Sequence, residues 1–325
     1  LAILHRFVPN EGTAWQYTLD ELSRFFERVL ALPAEHRQPP LPPSSGAGLA
    51  QGEMPPLVQE LIGRYLDSAK LLGQRTAELH RALGAETFDP AFAPENITPL
   101  SQRSLYQSMR NVQQRTLHDL ALALPRLPVE IQGEARQVVA HSDEMLRRFQ
   151  TVVSRRLAGK RIRCHGNLGL GELLFTGKDF AIIDFEGEPG RSLGERRVKR
   201  SPLGDVATMV RSFHHAAAGA LLGDEHPRGR TPGMIRPEDV GLLEQWAHLW
   251  YVWVSTAFVR AYQEYTAGES ILPAAADGFE SLLADMLLER ALRELAYELE
   301  DRPAWAPISI RAILQLVGPS AGNAG

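Results

Sequence analysis

Apolar side chains recur at helical spacing along most of this 325-residue chain. In one stretch, Leu57, Leu61, Tyr65 and Leu72 fall on one face of a helix. The first predicted helix has Thr18 as its N-cap, with Glu21 completing a capping box. The periodicity predicts helices at residues 19–30, 57–83, 100–124, 129–157, 203–222, 237–265, 274–299 and 308–316.

Strand patterns are concentrated in one short part of the chain. They predict strands at Arg161–Cys164, Leu173–Phe175 and Phe180–Asp184, with Thr176–Asp179 as the turn of a hairpin between the last two. Residues 1–8 predict an edge strand or an incoming connection. These elements together indicate a mainly α (α+β) fold with a central β-hairpin.

Two segments stand apart from this pattern. Residues 33–56 are rich in Pro, Gly and Ser, which predicts either a functional loop or a disordered one. Trp246, Trp250 and Trp253 share one helix face, which favours core or interface packing over stacking against a sugar.

Composition narrows the class of protein. The formal net charge is -4, which argues against nucleic acid or an anionic membrane as a partner. We find no signal peptide and no apolar run long enough for a membrane span. Cys164 is the only cysteine, so an internal disulfide is excluded and a cytoplasmic location is expected. We interpret Cys164 as the apolar end of a buried strand rather than a nucleophile.

The strand-rich region carries the candidate chemistry. A strand leads into His165-Gly-Asn-Leu-Gly-Leu-Gly-Glu172, and the hairpin then brings Asp184 to the end of a second strand. Phosphoryl transfer needs one group to orient the acceptor hydroxyl and two oxygen ligands to hold Mg²⁺. Asn167, Glu172 and Asp184 occur in that order.

Each candidate also has a structural interpretation. Asp184 is either a metal ligand or a carboxylate that caps a turn, and Glu172 is either a ligand or a solvent-facing loop residue. His165 is expected to pack and hydrogen-bond beneath the loop. Asp205 begins a helix after Ser201-Pro202, where a carboxylate suits the helix dipole.

Several long blocks resemble one family from end to end. They are Phe7–Trp15, Leu72–His80, Phe92–Glu95, Ile183–Pro189, Glu195–Ala207, Tyr297–Leu299 and Arg302–Trp305. In these blocks the chain resembles the C-terminal lobe of bacterial maltokinases, relatives of the aminoglycoside phosphotransferases with a protein-kinase-like fold. The resemblance implies ATP and Mg²⁺ as cofactors and maltose or a similar disaccharide as the acceptor.

The resemblance also implies roles for single residues. Phe7 and Val8 follow the hinge and would contact the nucleotide, whereas Asp205 would brace the loop. Tyr297, Glu298 and Arg302 become the candidates for sugar binding. The product would be maltose 1-phosphate for α-glucan or glycogen synthesis, with a fused or associated trehalose synthase as a partner.

The resemblance implies one domain organisation. Residues 1–325 would form a single kinase-like C-terminal lobe, with residues 1–16 after the hinge, the loop at 33–56, the catalytic loop and hairpin at 161–185, and a helical sugar-side region at 201–317. The N-terminal lobe would then lie largely outside this sequence.

The central loop departs from the family pattern at three positions. Where the family has His-Gly-Asp-x-His-Leu-Gly-Gln, this chain has Asn167 for the base Asp, Gly169 for the second His and Glu172 for the Gln. Three hypotheses follow: a maltokinase impaired by Asn167 and the missing lobe, a non-catalytic pseudokinase module that binds sugar or a partner enzyme, or a fragment of a trehalose synthase–maltokinase fusion.

Overall fold

The computed structural model describes residues 7–155, 157–188, 192–222, 235–273 and 276–318. Most of the strand predicted at residues 1–8 lies outside the described residues. The described chain is mainly helical, as the hydrophobic periodicity predicts. Its helices are α1 Ala14–Leu30, α2 Pro56–Ile62, α3 Tyr65–Leu83, α4 Pro99–Ala123, α5 Val129–Ala140, α6 Ser142–Ser154, α7 Leu193–Arg196, α8 Leu203–Leu222, α9 Val240–Tyr265, α10 Ala276–Asp301 and α11 Ala306–Val317.

Two small antiparallel sheets accompany the helices. Strands β1 (Glu95–Asn96) and β2 (Lys160–Arg161) form one sheet, and β3 (Leu173–Phe175) pairs with β4 (Phe180–Ile182) in the other. The segment before α1 lies along β3, because the Glu11 amide donates to the Phe175 carbonyl at 2.8 Å. The residues just before α1 are therefore hydrogen-bonded to the outer edge of the β3–β4 hairpin.

Helix α9 lies in the middle of the core. Trp246, Trp250 and Trp253 are buried in it, so the prediction that this stripe is core is confirmed. Helix α3 packs closely on α9 at Gly73, where an added Cβ would lie 2.4 Å from the Phe258 carbonyl oxygen. None of the described helices is both long and apolar enough to cross a membrane.

The first helix starts earlier than predicted. Thr13 is the N-cap, and Gln16 completes the capping box. Thr18 lies within the helix, where its hydroxyl bonds the Ala14 carbonyl at 2.7 Å and the Tyr65 hydroxyl at 2.6 Å. The prediction of a cap at Thr18 was wrong because both threonines precede a suitable residue three positions on, and only tertiary contacts distinguish them.

Two predicted helices are each divided in two. The 57–83 helix ends at Ile62 because Gly63 adopts a φ of 61°, and a new helix begins at Tyr65. The 129–157 helix breaks at His141, which separates α5 from α6. Glycine adopts positive φ without the strain that a side chain brings. Hydrophobic periodicity alone does not reveal such short interruptions.

The 33–56 segment is docked on the core. Ala47 and Ala50 are buried, and the Ala50 amide donates to Thr256 Oγ1 on α9 at 2.8 Å. The Trp246 indole donates to the Arg37 carbonyl at 2.7 Å. Residues of this segment therefore pack against α9 rather than extending away from the domain.

Candidate active site

Residues 165–172, here called the site loop, are fixed by one buried carboxylate. Asp205 lies in the first turn of α8 and is 2% exposed. It accepts the backbone N–H of His165 and that of Gly166, each at 2.8 Å. The helix N-terminus also favours a negative charge at this position. Asp205 thus joins α8 to the start of the loop.

A buried chain of hydrogen bonds orients Asp205. His80 Nε2 lies 3.2 Å from its Oδ2, and His80 Nδ1 lies 2.9 Å from the Tyr262 hydroxyl. A carboxylate only accepts, so His80 Nε2 donates to Asp205, and in the neutral imidazole Nδ1 accepts from the Tyr262 hydroxyl. Burial opposes ionisation of Asp205, but the His80 hydrogen bond and the Gly166 amide hold its pKa below the ordinary value.

The His165 ring connects the loop to the hairpin. His165 is 1% exposed, and its Nε2 lies 2.8 Å from the Ile183 carbonyl oxygen. The Ile183 amide in turn donates to the Glu172 carbonyl at 3.0 Å. These two bonds fix the backbone just before Asp184, which turns into the left-handed region with φ 65°. The exposed Asp184 is thereby turned out of the strand.

Asn167 and Glu172 are in direct contact across the loop. The Asn167 amide Nδ2 donates to Glu172 Oε1 at 3.2 Å. A Cβ at Gly169 would lie 3.1 Å from Glu172 Oε2, so the carboxylate also occupies the space beside Gly169. All three departures from the maltokinase pattern therefore lie in one contact cluster.

Glu172 and Asp184 are electrostatically coupled carboxylates. Burial raises the pKa of Glu172 above its ordinary value, and the charge of Asp184 raises it further. Carboxylate oxygens are suitable Mg²⁺ ligands. The described residues contain no group of three or more His, Cys, Asp and Glu that could hold a metal. A Mg²⁺ ion bound with nucleotide phosphates and water needs only one or two protein carboxylates.

Arg290 on α10 is a site residue that the sequence did not reveal. Its Nη2 donates to Asn167 Oδ1 at 3.4 Å, and its Nη1 lies 3.5 Å from Glu188 Oε1. Glu294 supports it from one turn along the helix, with Oε1 3.0 Å from Arg290 Nε. An arginine on an amphipathic helix usually faces solvent, so only the docking of α10 against the loop identifies it.

The predicted sugar residues lie further along α10 and just beyond it. Glu298 is buried, and its Oε1 lies 2.7 Å from His215 Nε2. Tyr297 is 52% exposed, and the Arg302 guanidinium lies 6.0 Å from the centre of the Trp305 ring. No direct contact between these side chains and the site loop occurs among the hydrogen bonds and ring contacts described.

A cavity of about 310 Å³ opens beside the loop. Gly166 and Asp205 form part of its wall, Arg290 and Arg293 come from α10, and Ser108 comes from α4. Arg293 Nη2 lies 3.5 Å from Ser108 Oγ, so one wall already offers paired polar groups. Apolar walls with a few placed polar groups are typical of small-molecule sites.

Two further predictions concern Phe7 and Val8, which were expected to contact the nucleotide, and Cys164, which was expected to be structural. Phe7 is 79% exposed and Val8 is half-buried, just before the segment that pairs with β3. Burial raises the pKa of the Cys164 thiol well above its ordinary value, and the charge of Asp205 adds to this. The thiol therefore stays protonated, which agrees with the interpretation that Cys164 is not a nucleophile, but β2 ends at Arg161, so the prediction that Cys164 ends this strand was wrong.

Comparison with known proteins identifies the fold. No protein-family profile matches the chain. Three solved structures of glucosamine kinase align with it at a TM-score of 0.67 and 18% sequence identity. One of them is a complex with glucosamine, ADP and inorganic phosphate, and the alignment covers 95% of this chain and 58% of that one. For the second crystal form the shares are 96% and 60%.

These likenesses define the class of fold. Nearly all of the described architecture is shared with a part of the glucosamine kinase chain, so this protein has a kinase-like fold of the kind that sugar kinases use. The chain spans about three fifths of the length of those structures. At 18% identity the likeness establishes the fold and leaves substrate and activity to be argued from the site.

Proposed function

We propose that the chain is the acceptor- and metal-binding part of a sugar kinase, which transfers a phosphoryl group from ATP to a hydroxyl of maltose or a similar disaccharide. The observation that carries this proposal is the site loop, which Asp205 and His165 hold so that Asn167 and Glu172 lie together beside the strand end that presents Asp184. The shared fold with glucosamine kinase supports the same reaction class.

Each site residue then has one role. Asn167 orients the acceptor hydroxyl through its carbonyl oxygen, and Arg290 holds that amide in place. Glu172 and Asp184 would hold Mg²⁺, which neutralises charge on the transferring phosphates when it is bound. Asp205 braces the loop backbone, and His165 keeps the hairpin in register with it.

The amide at position 167 lowers the expected rate. Asn167 cannot take the hydroxyl proton, and acid–base catalysis typically contributes about 10²–10⁴-fold. Alignment and electrostatic stabilisation dominate phosphoryl transfer, so a slow reaction is still expected. The contacts among Asn167, Gly169 and Glu172 support a rearranged loop rather than one that has collapsed.

Two arguments support a disaccharide as the phosphoryl acceptor: the family resemblance and the lining of the cavity beside the loop. The resemblance to maltokinases favours maltose, with Tyr297, Glu298 and Arg302 as further sugar contacts and Phe7 and Val8 beside the nucleotide. The 310 Å³ cavity beside the loop supplies guanidinium and hydroxyl groups that match sugar hydroxyls. None of Asn167, Glu172 and Asp184 lines this cavity, so we place there a part of the sugar away from the reacting hydroxyl, which would lie beyond Arg290 toward Asn167.

A sugar-binding module without kinase activity is the second candidate, and Asn167 is the observation that favours it. The two are separated by measuring ADP release with maltose, glucosamine and glucose as acceptors, and maltose binding in parallel. Both this chain and the longest natural product that contains it should be assayed. Acceptor-dependent ADP release that Asp184→Asn abolishes supports the kinase, whereas saturable maltose binding without release supports the binding module.

A further inference from the structure

A second cavity, of about 960 Å³, lies apart from the site loop. Its walls come from the 44–48 loop, the junction of α5 and α6, the middle of α9 and the end of α11. No residue of the site loop lines it. Its volume is within the range of small-molecule sites, at the large end of that range.

The innermost charged group of this cavity is Arg211 of α8. Arg211 is 1% exposed, and its Nε donates to Glu294 Oε2 at 2.8 Å. Its Nη2 is buried and has no hydrogen-bond partner among the described residues. A buried guanidinium N–H without an acceptor costs free energy, so a ligand acceptor that meets this nitrogen through a movement of Arg211 toward the cavity would be stabilising.

Arg211 shares its carboxylate partner, Glu294, with Arg290. Glu294 is shared between Arg211 and Arg290, and burial opposes its ionisation while these cations and His215 hold its pKa near about 2. The pKa of His214 is well below its ordinary value, first through burial and next through the charge of Arg211. Glu294 therefore serves two guanidinium groups, of which Arg290 also contacts Glu188, so the case for a ligand acceptor rests on the unpartnered Arg211 Nη2.

Two further arginines, Arg147 and Arg148, line the cavity together with neutral polar side chains. His248 and Tyr251 of α9 line the cavity, and burial lowers the pKa of His248, so its neutral imidazole offers one N–H. Ser44, Ser45 and Gln315 lie at the lining with groups suited to hydroxyls. Two carboxylates also face the cavity: Glu144, which is paired with Arg147, and the exposed Asp143.

We propose that this cavity binds a phosphorylated sugar, with the phosphoryl group on the Arg211 guanidinium and the sugar hydroxyls on the polar side chains around it. Guanidinium groups recognise phosphoryl oxygens with paired, charge-assisted hydrogen bonds. The volume exceeds what inorganic phosphate alone would fill, so we propose a sugar phosphate as the ligand.

The same residues connect the cavity to the site loop. Arg211 contacts Glu294, Glu294 contacts Arg290, and Arg290 contacts Asn167 through its Oδ1. A ligand that draws Arg211 toward the cavity weakens its hold on Glu294 and so changes how Arg290 holds Asn167. This second part rests on the proposed function, because it concerns the rate of transfer at the loop.

Calorimetry on the full chain at low ionic strength tests the binding. Glucose 1-phosphate, inorganic phosphate and glucose are titrated separately. We expect glucose 1-phosphate to bind more tightly than phosphate, and glucose to give no binding that depends on Arg211. Arg211→Gln should weaken binding by about tenfold or more, since charge-assisted hydrogen bonds are lost.

Gln315→Glu provides a second variant that leaves the core intact. Gln315 is exposed and lines the cavity, so a carboxylate there should weaken binding of glucose 1-phosphate by about three- to tenfold at low salt. Arg115→Gln, at an arginine on α4 with 86% of its side chain exposed, is the control and should leave affinity unchanged. If Arg211→Gln does not fold, Gln315→Glu decides alone.

The outcomes separate this inference from the proposed function. Equal affinity of wild type and Gln315→Glu, equal binding of glucose and glucose 1-phosphate, or no binding of any anion each overturns the cavity ligand. If binding behaves as expected and no kinase activity is found, the proposed function fails while the cavity assignment stands. Kinase activity unaffected by saturating glucose 1-phosphate refutes the connection to Asn167.

Discussion

At the site loop an amide and a carboxylate share one hydrogen bond, from Asn167 Nδ2 to Glu172 Oε1. The pattern of the resembled family has the carboxylate at position 167 and the amide at 172. This chain therefore keeps one acid and one amide, with the positions exchanged. The net charge of the pair is the same in both arrangements, and in this chain the amide donates to the carboxylate.

Exchanging the two groups back is expected to raise the rate. Asn167→Asp alone places two carboxylates in contact and should lower the melting temperature, because like charges repel. Asn167→Asp combined with Glu172→Gln restores the hydrogen bond and supplies a base, so kcat should rise by about 10²–10⁴-fold over wild type. We would measure steady-state ADP release and thermal melting for wild type, both single variants and the double variant. These four proteins form a double-mutant cycle. A folded double variant no faster than wild type contradicts the account of position 167.

Asp184 has a strained backbone conformation at the position where we propose that its carboxylate binds Mg²⁺. A non-glycine residue at φ 65° is uncommon, and such residues cluster where function requires them. Asp184→Gly should abolish sugar phosphorylation and leave the free energy of unfolding unchanged or higher by up to about 1 kcal/mol.

Asp184→Val is the matched comparison, because it removes the same carboxylate and adds a β-branched side chain. It should also abolish activity, but it should destabilise the protein by about 1–2 kcal/mol or more. Urea unfolding of both variants measures the difference. Equal stability of the two would show that the left-handed backbone at this residue is unimportant.

At the scale of elements, hydrophobic periodicity predicts most of the helices and the β3–β4 hairpin. It does not predict the break at Gly63, the cap at Thr13 or the short strand at Glu95–Asn96, each of which depends on contacts between distant segments. The strand is stabilised from outside its own segment, since the Lys199 ammonium lies 2.8 Å from Glu95 Oε1. Local patterns carry little information about such pairings.

The packing of α3 on α9 gives a stability prediction. Gly73→Ala should destabilise the protein by about 1–3 kcal/mol, because the added Cβ would lie 2.4 Å from the Phe258 carbonyl oxygen. Gly133→Ala in α5 is the control, since nothing lies within 4 Å of the added carbon. That change should stabilise the helix by about 0.5–1 kcal/mol. Chemical denaturation of both variants tests whether the two helices touch at Gly73.

A buried acid in α10 makes stability depend on pH. Asp285 is 3% exposed, and burial raises its pKa from 3.8 to about 7. The folded state therefore holds a proton that the unfolded state releases, so stability falls as pH rises from about 4 to 7. Asp285→Asn should match wild type near pH 4 and be more stable by up to about 4 kcal/mol at pH 8.

Urea unfolding of wild type and Asp285→Asn at pH 4.5 and pH 8 measures this difference. Asp67→Asn, at a residue with 81% of its side chain exposed, is the control and should not change the pH dependence. If Asp285→Asn gives the same gain or loss at both pH values, the carboxyl is not protonated in the folded protein.

At the scale of the whole molecule, helices α8 and α10 connect the polar side chains at the site loop with those at the second cavity. Asp205 in the first turn of α8 holds the site loop, and Arg211 further along it reaches the second cavity. Arg290 and Glu294 of α10 connect them. The sequence located the loop from its motif, but it could not locate this connection, because buried Arg–Glu pairs on helices look like ordinary surface charges until the helices are packed.

The central claim is that the site loop transfers a phosphoryl group to a sugar. Phosphorus NMR of the protein with ATP, Mg²⁺ and maltose tests it most directly, because the product resonance reports both transfer and the acceptor oxygen. We predict slow formation of a sugar 1-phosphate by wild type and none by Asp184→Asn. No sugar phosphate from wild type or from the Asn167→Asp, Glu172→Gln double variant, under conditions where both bind ATP and maltose, would contradict the claim.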